Sequence, residues 1–397
     1  MSAAGWPPSR RDGSQGTNDA MKVMHVITGL RTGGAETQLA LLLRHTRTSP
    51  LVVALANAEE IADVIRRDGF EVYDLGMRHN HELRALARLT RLISRHRPDA
   101  VHVHLYRATL YGRIAARLAG VRTVITTEHS LLDGQLEGRR TSFFVKALYM
   151  ATEPFSTATI AVSDQVAGRL SRWGVPEAKL HVIPNGIDME TLSSASRPGT
   201  EAREALRKRF HIAPEVKLVG GIGRLHRTKQ WDLLLQALAD DLNAELQVML
   251  VGAGDDEPRL REVIARLGVD SWAHLTGVIP DIETALSAMD VVVSTAPQET
   301  FGLALVEAAV AGRPVVYVHS PGLDRVGEVS GVVKVSPQPS AIRAAVLEAV
   351  REPRRPPWSA FAQYDIASVA RQVDGLYEAC IHRSSSRAQL PARYRPS

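Results

Sequence analysis

Short apolar runs alternate with longer stretches of helical periodicity along this 397-residue chain, and that alternation constrains its fold more than any other feature. In the first half the runs are Lys22–Thr28, Leu51–Leu55, Glu71–Leu75, Ala100–Leu105, Thr123–Thr127 and Thr159–Val162, separated by helical patterns such as Glu36–His45 and Leu83–His96. The second half repeats the scheme with Lys217–Ile222, Gln247–Val251, Val291–Thr295 and Val315–Val318. Strand, helix and strand in succession make a parallel sheet with helices on both faces. The sequence therefore predicts an α/β protein of two Rossmann-like, doubly wound parallel-sheet domains. Ser193–Glu201, rich in Ser, Pro and Gly, reads as their linker. The expected division is a disordered leader over 1–20, an N-terminal domain over 21–190, a C-terminal domain over 191–362, a closing helix over 363–383 and a disordered tail over 384–397. Met21 reads as a second start. Ligands of open parallel sheets bind outside the carboxyl ends of the strands, so two such domains facing each other predict a site in the cleft between them.

Composition excludes several classes. Hydrophobic residues make up 45% of the chain and charged residues 23%, the balance of a folded soluble protein. The one cysteine, Cys380, cannot form an intrachain disulfide or a cysteine zinc cluster, and suits a reducing cytoplasm. No apolar run approaches the ~18 residues of a membrane-spanning helix. Residues 21–190 carry 22 Lys and Arg against 17 Asp and Glu, which accounts for the net charge of +5. A basic N-terminal half suits a phosphorylated substrate or an anionic membrane surface. Nucleic acid is not expected, because no aromatic RNA signature or helix-turn-helix pattern accompanies the charge.

The motifs lie near strand ends. Gly29-Leu30-Arg31-Thr32-Gly33-Gly34-Ala35-Glu36 follows the first strand; its glycines let backbone amides approach an anion, or simply make a tight turn. Its spacing is not that of a dinucleotide fingerprint. Gly221-Ile222-Gly223-Arg224-Leu225 leaves the first strand of the second domain, with Lys229 five residues after Arg224. Two cations beside flexible glycines can neutralise a diphosphate, although a solvated turn would look the same. Gly252-Ala253-Gly254 ends the next strand in the same manner. Glu299-Thr300-Phe301-Gly302-Leu303 precedes a helical run, Ala304–Ala311, that carries Glu307 among Ala, Val and Leu. Free amides where that helix begins could hold phosphate oxygens. A carboxylate in such company needs a partner, either an internal cation or the vicinal hydroxyls of a sugar.

Histidines offer less. His102 and His104 share a face of one strand, which suits two ligands of one metal or simple packing at a strand end, and no third ligand has an evident spacing. No metal is expected. His129 ends a strand and so points to the expected site. Asp255-Asp256-Glu257 reads as acidic capping of a helix rather than a metal motif. Arg84, Arg88, Arg91 and Arg95 recur at helical spacing opposite Leu86, Leu89, Leu92 and Ile93, a solvated helix face or a docking face for anionic lipid.

Taken in order, these motifs resemble the retaining group 1 (family 4) nucleotide-sugar glycosyltransferases of GT-B fold, over about Met21 to Asp374. The most specific element is the pair of glutamates, Glu299 and Glu307, separated by seven residues. It is joined by Gly-Gly-Ala-Glu at 33–36, by Ile183-Pro184-Asn185-Gly186-Ile187-Asp188, and by Gly-Arg-Leu with Lys229. The resemblance implies that Arg224 and Lys229 hold the donor diphosphate and stabilise it as it leaves. It implies that Glu307 binds the nucleotide ribose, and that Glu299 with the amides of Phe301 to Leu303 contacts the transferred sugar, with Gly223 and Thr300 beside them. Val278-Ile279-Pro280 would lie along the base, Ile279 through its backbone. His129 matches a histidine near the donor sugar, and Gly33-Gly34 a loop that closes over phosphate and acceptor.

The family also implies no cofactor beyond the nucleoside diphosphate sugar itself, and retention of configuration without a metal. A hydroxyl acceptor is expected, either a lipid-linked polysaccharide precursor or a small specialised metabolite, with room for peripheral contact at the inner membrane face. Uridine is the base the family suggests. The alternatives are a GT-B nucleotide-sugar epimerase or a non-catalytic nucleotide-sugar binding protein. The chain departs from the family twice. Gln230 follows Lys229 where Gly is usual, and Ser320-Pro321-Gly322-Leu323-Asp324 stands where Gly-Gly and a Glu are common.

Overall fold

The computed structural model describes residues 20–79, 82–137, 139–195 and 200–389. The leader, apart from residue 20, and the tail beyond residue 389 lie outside them. Two compact units emerge. One holds the described residues up to Gly186 together with those from Ile366 onward; the other is Ile187–Asp365.

The first unit is built on a parallel sheet of seven strands, β1 (Lys22–Ile27), β2 (Ser49–Ala54), β3 (Glu71–Asp74), β4 (Ala100–His104), β5 (Thr123–Glu128), β9 (Ala158–Ala161) and β10 (Leu180–Val182). Between β5 and β9 lie three two-residue antiparallel strands, β6 (Leu131–Leu132), β7 (Gln135–Leu136) and β8 (Arg139–Arg140). The large sheet runs β10-β9-β5-β4-β1-β2-β3, so the chain reverses direction across the sheet between β1 and β4. Alternate residues serve its two faces. Met24, Val26, Val101, Val103 and Val124 meet Ala85, Leu89 and Ile93 on one side, with Ala108, Ala115 and Ala116. Val23, Ala100, Ile125 and Ile160 meet Val369, Ala370, Val373 and Tyr377 on the other. The helix Leu83–His96 thus commits Ala85, Leu89 and Ile93 to the core while Arg84, Arg88, Arg91 and Arg95 stay exposed. The four arginines thus lie on the helix face away from the core.

The second unit holds six parallel strands, β11 (Lys217–Ile222), β12 (Leu246–Val251), β13 (Ala273–Leu275), β14 (Val291–Ser294), β15 (Val315–Tyr317) and β16 (Val332–Lys334), in the order β13-β12-β11-β14-β15-β16. Here the reversal falls between β11 and β14. The buried Trp231, Leu234, Leu235 and Leu238 cover one face. Asp290, at the foot of β14, accepts from Arg203, Arg207 and the Leu218 amide, which ties the start of β11 to β14.

Two expectations are corrected. The final helix begins at Ile366 and runs to Gln389, so 384–389 is helical rather than tail. The stretch read as a linker is occupied on both sides of residues 196–199 by the helices Met189–Ala195 and Glu201–Arg209. The short strands β10, β13 and β16 were not anticipated.

At the end of the first unit, Gln38 holds Gly186 by two bonds of 2.8 Å each, one donated by its amide to the Gly186 carbonyl and one accepted from the Gly186 amide. A Cβ at Gly186 would collide with Ile366. This accounts locally for the Asn185-Gly186 motif. Gln38→Ala leaves both backbone groups without a protein partner and should cost about 1–3 kcal/mol in denaturant unfolding.

Candidate active site

In the second unit the site grows from the two strands that flank the reversal. β11 is followed by Gly223, whose φ of +151° only glycine adopts comfortably. A Cβ there would already touch Lys229, at 3.5 Å from its Cε. Gly252 and Gly254 serve the same loop from β12, since a Cβ on either would run into the Gly223 or Leu225 carbonyl. The Gly252-Ala253-Gly254 motif is therefore a packing surface for the Gly223–Leu225 turn. Arg224 projects into solvent, while its carbonyl accepts from the Trp231 indole at 3.0 Å.

Lys229 and Glu299 form an ion pair with side chains 21% and 16% exposed. Their loops are fastened by Thr295, whose hydroxyl donates to the carbonyls of Lys229 (2.9 Å) and Gln230 (2.7 Å). Gln230 sits at φ +50° and ψ +43°, the left-handed region. The turn thus keeps a conformation suited to glycine, and this chain accepts the strain of about 1–2 kcal/mol.

β14 leads through Glu299 to Gly302, at φ +84°, which precedes the helix Leu303–Val310. A Cβ on Gly302 would strike Ser320. Ser320 is fully buried; its hydroxyl donates to the Phe301 carbonyl at 3.0 Å and accepts from the Leu323 amide. The Gly322 amide donates to the same Phe301 carbonyl at 2.8 Å, and the Phe301 ring meets Tyr364 edge-on at 5.2 Å. The departure at 320–324 thus braces the loop below Gly302, while Asp324 accepts from Tyr317 and Lys334. At the helix start the Leu303 and Ala304 amides lack intrahelical acceptors, as first-turn amides must.

Glu307 lies just past the first turn of this helix. It is half-buried, and no cation or hydrogen-bond donor meets its carboxylate among the described residues. Burial, and secondarily the charge of Glu283, push it up to about 8. Glu283 and Asp281, on and before the helix Ile282–Ala288, are raised too, first by burial. The internal salt bridge open to Glu307 on sequence grounds is absent among the described residues. Ile279, half-buried beside the exposed Val278, precedes these carboxylates.

In the first unit Gly33, extended at φ −170°, precedes the helix Gly34–His45, and its carbonyl accepts from the Thr37 amide. A Cβ there would overlap the Glu36 carboxylate, whereas one at Gly34 would meet nothing. Near the carboxyl ends of β1, β4 and β5 four histidines meet. His25 and His102 are register partners on β1 and β4, and His104 is two residues on. His25 Nδ1 lies 3.1 Å from His104 Nε2, and His104 Nδ1 lies 3.3 Å from His129 Nε2. His102 bonds the Tyr377 hydroxyl through Nδ1 and the Thr127 hydroxyl through Nε2, at 2.6 Å each. Burial holds His129 down at about 4 and His25 at about 3. Sequence reasoning missed His25, Thr295 and Glu283; only the register of β1 against β4 brings His25 to His102.

Of Asp255-Asp256-Glu257, Glu257 stands in the first turn of the helix Glu257–Leu267, as acidic capping requires, and Asp256 is its buried N-cap residue. Asp256 takes Arg259 through both oxygens at 2.7 Å, and Glu257 takes Arg261. Asp256 makes no side-chain cap to its helix.

Comparison with known proteins assigns this arrangement to a family. Residues 32–191 match the model of Glycosyltransferase Family 4, and residues 216–352 that of Glycosyl transferases group 1. The chain belongs to the group 1, family 4 glycosyltransferases. Among its relatives, the 2-deoxystreptamine glucosyltransferase of Streptomyces kanamyceticus is 27% identical over 286 residues, 68% of this chain and 73% of that one. The D-inositol 3-phosphate glycosyltransferase of Geodermatophilus obscurus is 33% identical over 202 residues, but the match spans only 46% of this chain and 43% of the relative. Anabaena HepE, solved in complex with UDP and glucose, superposes with a TM-score of 0.73 at 21% identity, over 92% of this chain and 98% of its own. The fold is GT-B.

Proposed function

We propose that the protein transfers a hexosyl group, with retention, from a nucleoside diphosphate sugar to a hydroxyl acceptor. The observation that carries this reading is Glu307, a half-buried carboxylate without a partner among the described residues, on a helix whose free first-turn amides lie in the same loop system as Lys229 and Arg224. Vicinal ribose hydroxyls are suitable partners for it, since an ionised carboxylate accepts from both. A UDP-sugar is the donor we favour, supported by HepE, the neighbour solved with UDP and glucose.

In this reading the diphosphate draws Lys229 away from Glu299, and the freed Glu299 carboxylate takes hydroxyls of the transferred sugar. The bond from the anomeric carbon to the phosphate oxygen breaks with its electron pair going to the diphosphate. The acceptor oxygen bonds the same face of that carbon, and its proton passes to the departing phosphate. Arg224, Lys229 and the amides at Leu303 and Ala304 supply preorganised positive potential where the charge develops, so the proposed transfer relies on these groups rather than on a metal. His129 donates to the transferred sugar. Lys229→Ala should lower kcat about 10²–10³-fold at saturating donor, measured as nucleoside diphosphate release; turnover at the parental rate removes Lys229 from this role.

Glu307 gives a second test. Its carboxyl, pushed up to about 8, is largely protonated at neutral pH but must ionise to accept both ribose hydroxyls. Nucleotide binding therefore expels a proton, and affinity should rise by up to tenfold per pH unit from pH 6.5 towards 8. Glu307→Gln should bind more weakly and lose that slope in calorimetry, leaving only the titration of the phosphate. An identical slope in both proteins would show that Glu307 does not face the nucleotide.

The acceptor is a small metabolite or a lipid-linked glycan, and one surface favours the latter. Phe143, Phe144 and Leu148 are 80%, 75% and 51% exposed on the helix Phe143–Thr152, directly after the exposed Arg139 and Arg140. Aromatic side chains beside arginines suit an anionic lipid surface. Among the described residues no helix is long and apolar enough to cross a membrane, so such contact would be peripheral. Vesicles containing phosphatidylglycerol should sediment with the protein, and Phe143→Ser with Phe144→Ser should weaken this at least about tenfold. No sedimentation would leave the soluble acceptor.

A further inference from the structure

The histidine cluster of the first unit has a direction that the family assignment does not supply. All four rings are neutral at physiological pH, because burial holds His25, His102, His104 and His129 below the ordinary imidazole range. A neutral imidazole carries one N–H and one lone pair. Each contact in the row His25–His104–His129 therefore needs one donor and one acceptor, and fixing the proton on one ring fixes all three.

Only two arrangements exist. In the first, His25 carries its proton on Nδ1 and donates to His104 Nε2. His104 then carries its own on Nδ1 and donates to His129 Nε2, which leaves the His129 proton on Nδ1. The second arrangement reverses every bond and leaves His129 Nδ1 bare. What separates them is the far end of the row. His25 Nε2 is buried and has no hydrogen-bond partner among the described residues, and His25 itself is 1% exposed. In the first arrangement that atom is an unused lone pair; in the second it is an orphaned N–H. Buried N–H groups without acceptors are the rarer of the two in native structures. His102 imposes no choice, since both of its neighbours are hydroxyls that can donate or accept.

We propose that His104, backed by His25, is a positioning residue that fixes the tautomer of His129, so that His129 presents an Nδ1–H donor to its ligand. The ligand part of this statement rests on the role given to His129 above; the tautomer part does not. The ring nitrogens of His25, His102 and His104 also lie within 4.8 Å of one another, close enough to be considered for a metal ion. Yet His102 has both nitrogens on hydroxyls, and the facing nitrogens of His25 and His104 are on each other. One nitrogen, His25 Nε2, is left uncommitted, too few for a cation.

The test is a long-range ¹H–¹⁵N correlation spectrum of the full-length protein labelled at histidine, with His129 assigned from His129→Gln. The wild type should show His129 as the Nδ1–H tautomer. In His104→Gln, whose amide reaches the Nε2 position and not Nδ1, His129 should move to Nε2–H, and donor turnover should fall about tenfold, the scale of one lost hydrogen bond. His104→Asn, whose amide falls where Nδ1 was and can donate to His129, should restore both. A merely structural role would leave the tautomer of His129 unchanged. An Nε2–H tautomer in the wild type overturns the proposal without any variant. So does a His129 signal that is the same in His104→Gln, or one that shifts when a chelator strips stoichiometric zinc. If the tautomer behaves as expected but His129→Ala transfers sugar at the parental rate, the role of His129 in catalysis fails and the positioning chain stands.

Discussion

All strands of a parallel sheet end on the same edge, and at one place the connections leave that edge in opposite directions. In the second unit the loops that carry Arg224, Lys229 and Glu299 meet at that place. Between β11 and β14 the crossovers diverge, so no helix fills the ground above the strand ends. Gly223, Arg224 and Lys229 reach it from β11, and Glu299 to Gly302 reach it from β14. Asp290 sets the spacing of the two strands at their other ends by holding Arg203, Arg207 and the Leu218 amide. Thr295 does so above, through the Lys229 and Gln230 carbonyls. The two fastenings leave the loops between them little freedom to separate.

That rigidity permits local choices that would be unfavourable elsewhere. Gln230 holds a left-handed conformation, Glu307 is kept without a counter-charge, and the Leu303 and Ala304 amides lack acceptors in their helix. Each alone is a destabilising feature of about 1–3 kcal/mol. Grouped on one edge they are what a ligand carrying both anionic oxygens and vicinal hydroxyls would satisfy together. Lys229 and Glu299 show the complementary device. Each neutralises the other until a stronger partner arrives, so a lysine amine and a carboxylate need not stand alone near one another.

Much of this was legible in the sequence because the responsible signals are local. The interior strands appear as apolar runs since both their faces are buried, and the helix over 83–96 appears through its period. Gly302, Glu299 and Glu307 are legible because a strand end, a glycine and a helix start succeed one another within a few residues. What escaped is non-local or too short to carry a pattern. β10, β13 and β16 are three residues each and partly exposed, so they lack a run to read. His25 looked like any polar residue in a strand until the register with β4 set it against His102. Glu283 approaches Glu307 from a different helix, and Ser320 supports Gly302 from eighteen residues further on. The tail was misjudged for the converse reason. Ser384–Ser386 reads as a break, yet the helix from Ile366 carries on to Gln389.

The site loops of the second unit and the histidine cluster of the first hold polar groups out of water by different means. The loops pair Lys229 with Glu299, and burial holds the Glu307 carboxyl largely in its neutral form. In the cluster desolvation keeps four imidazoles uncharged, and burial raises the neighbouring Glu128 to about 7. A neutral imidazole row can transmit orientation but not charge, because each ring passes on only the choice of which nitrogen donates. Burial is therefore the condition for the row to have a direction, and Tyr377, from the helix that begins at Ile366, adds to it beside His25 and His102. Tyr377 from that helix closes over His102, and Asp374 anchors the helix by accepting from the Thr46 hydroxyl at 2.6 Å and the Arg47 amide at 2.9 Å. A helix from late in the sequence thus helps to enclose histidines of β1 and β4.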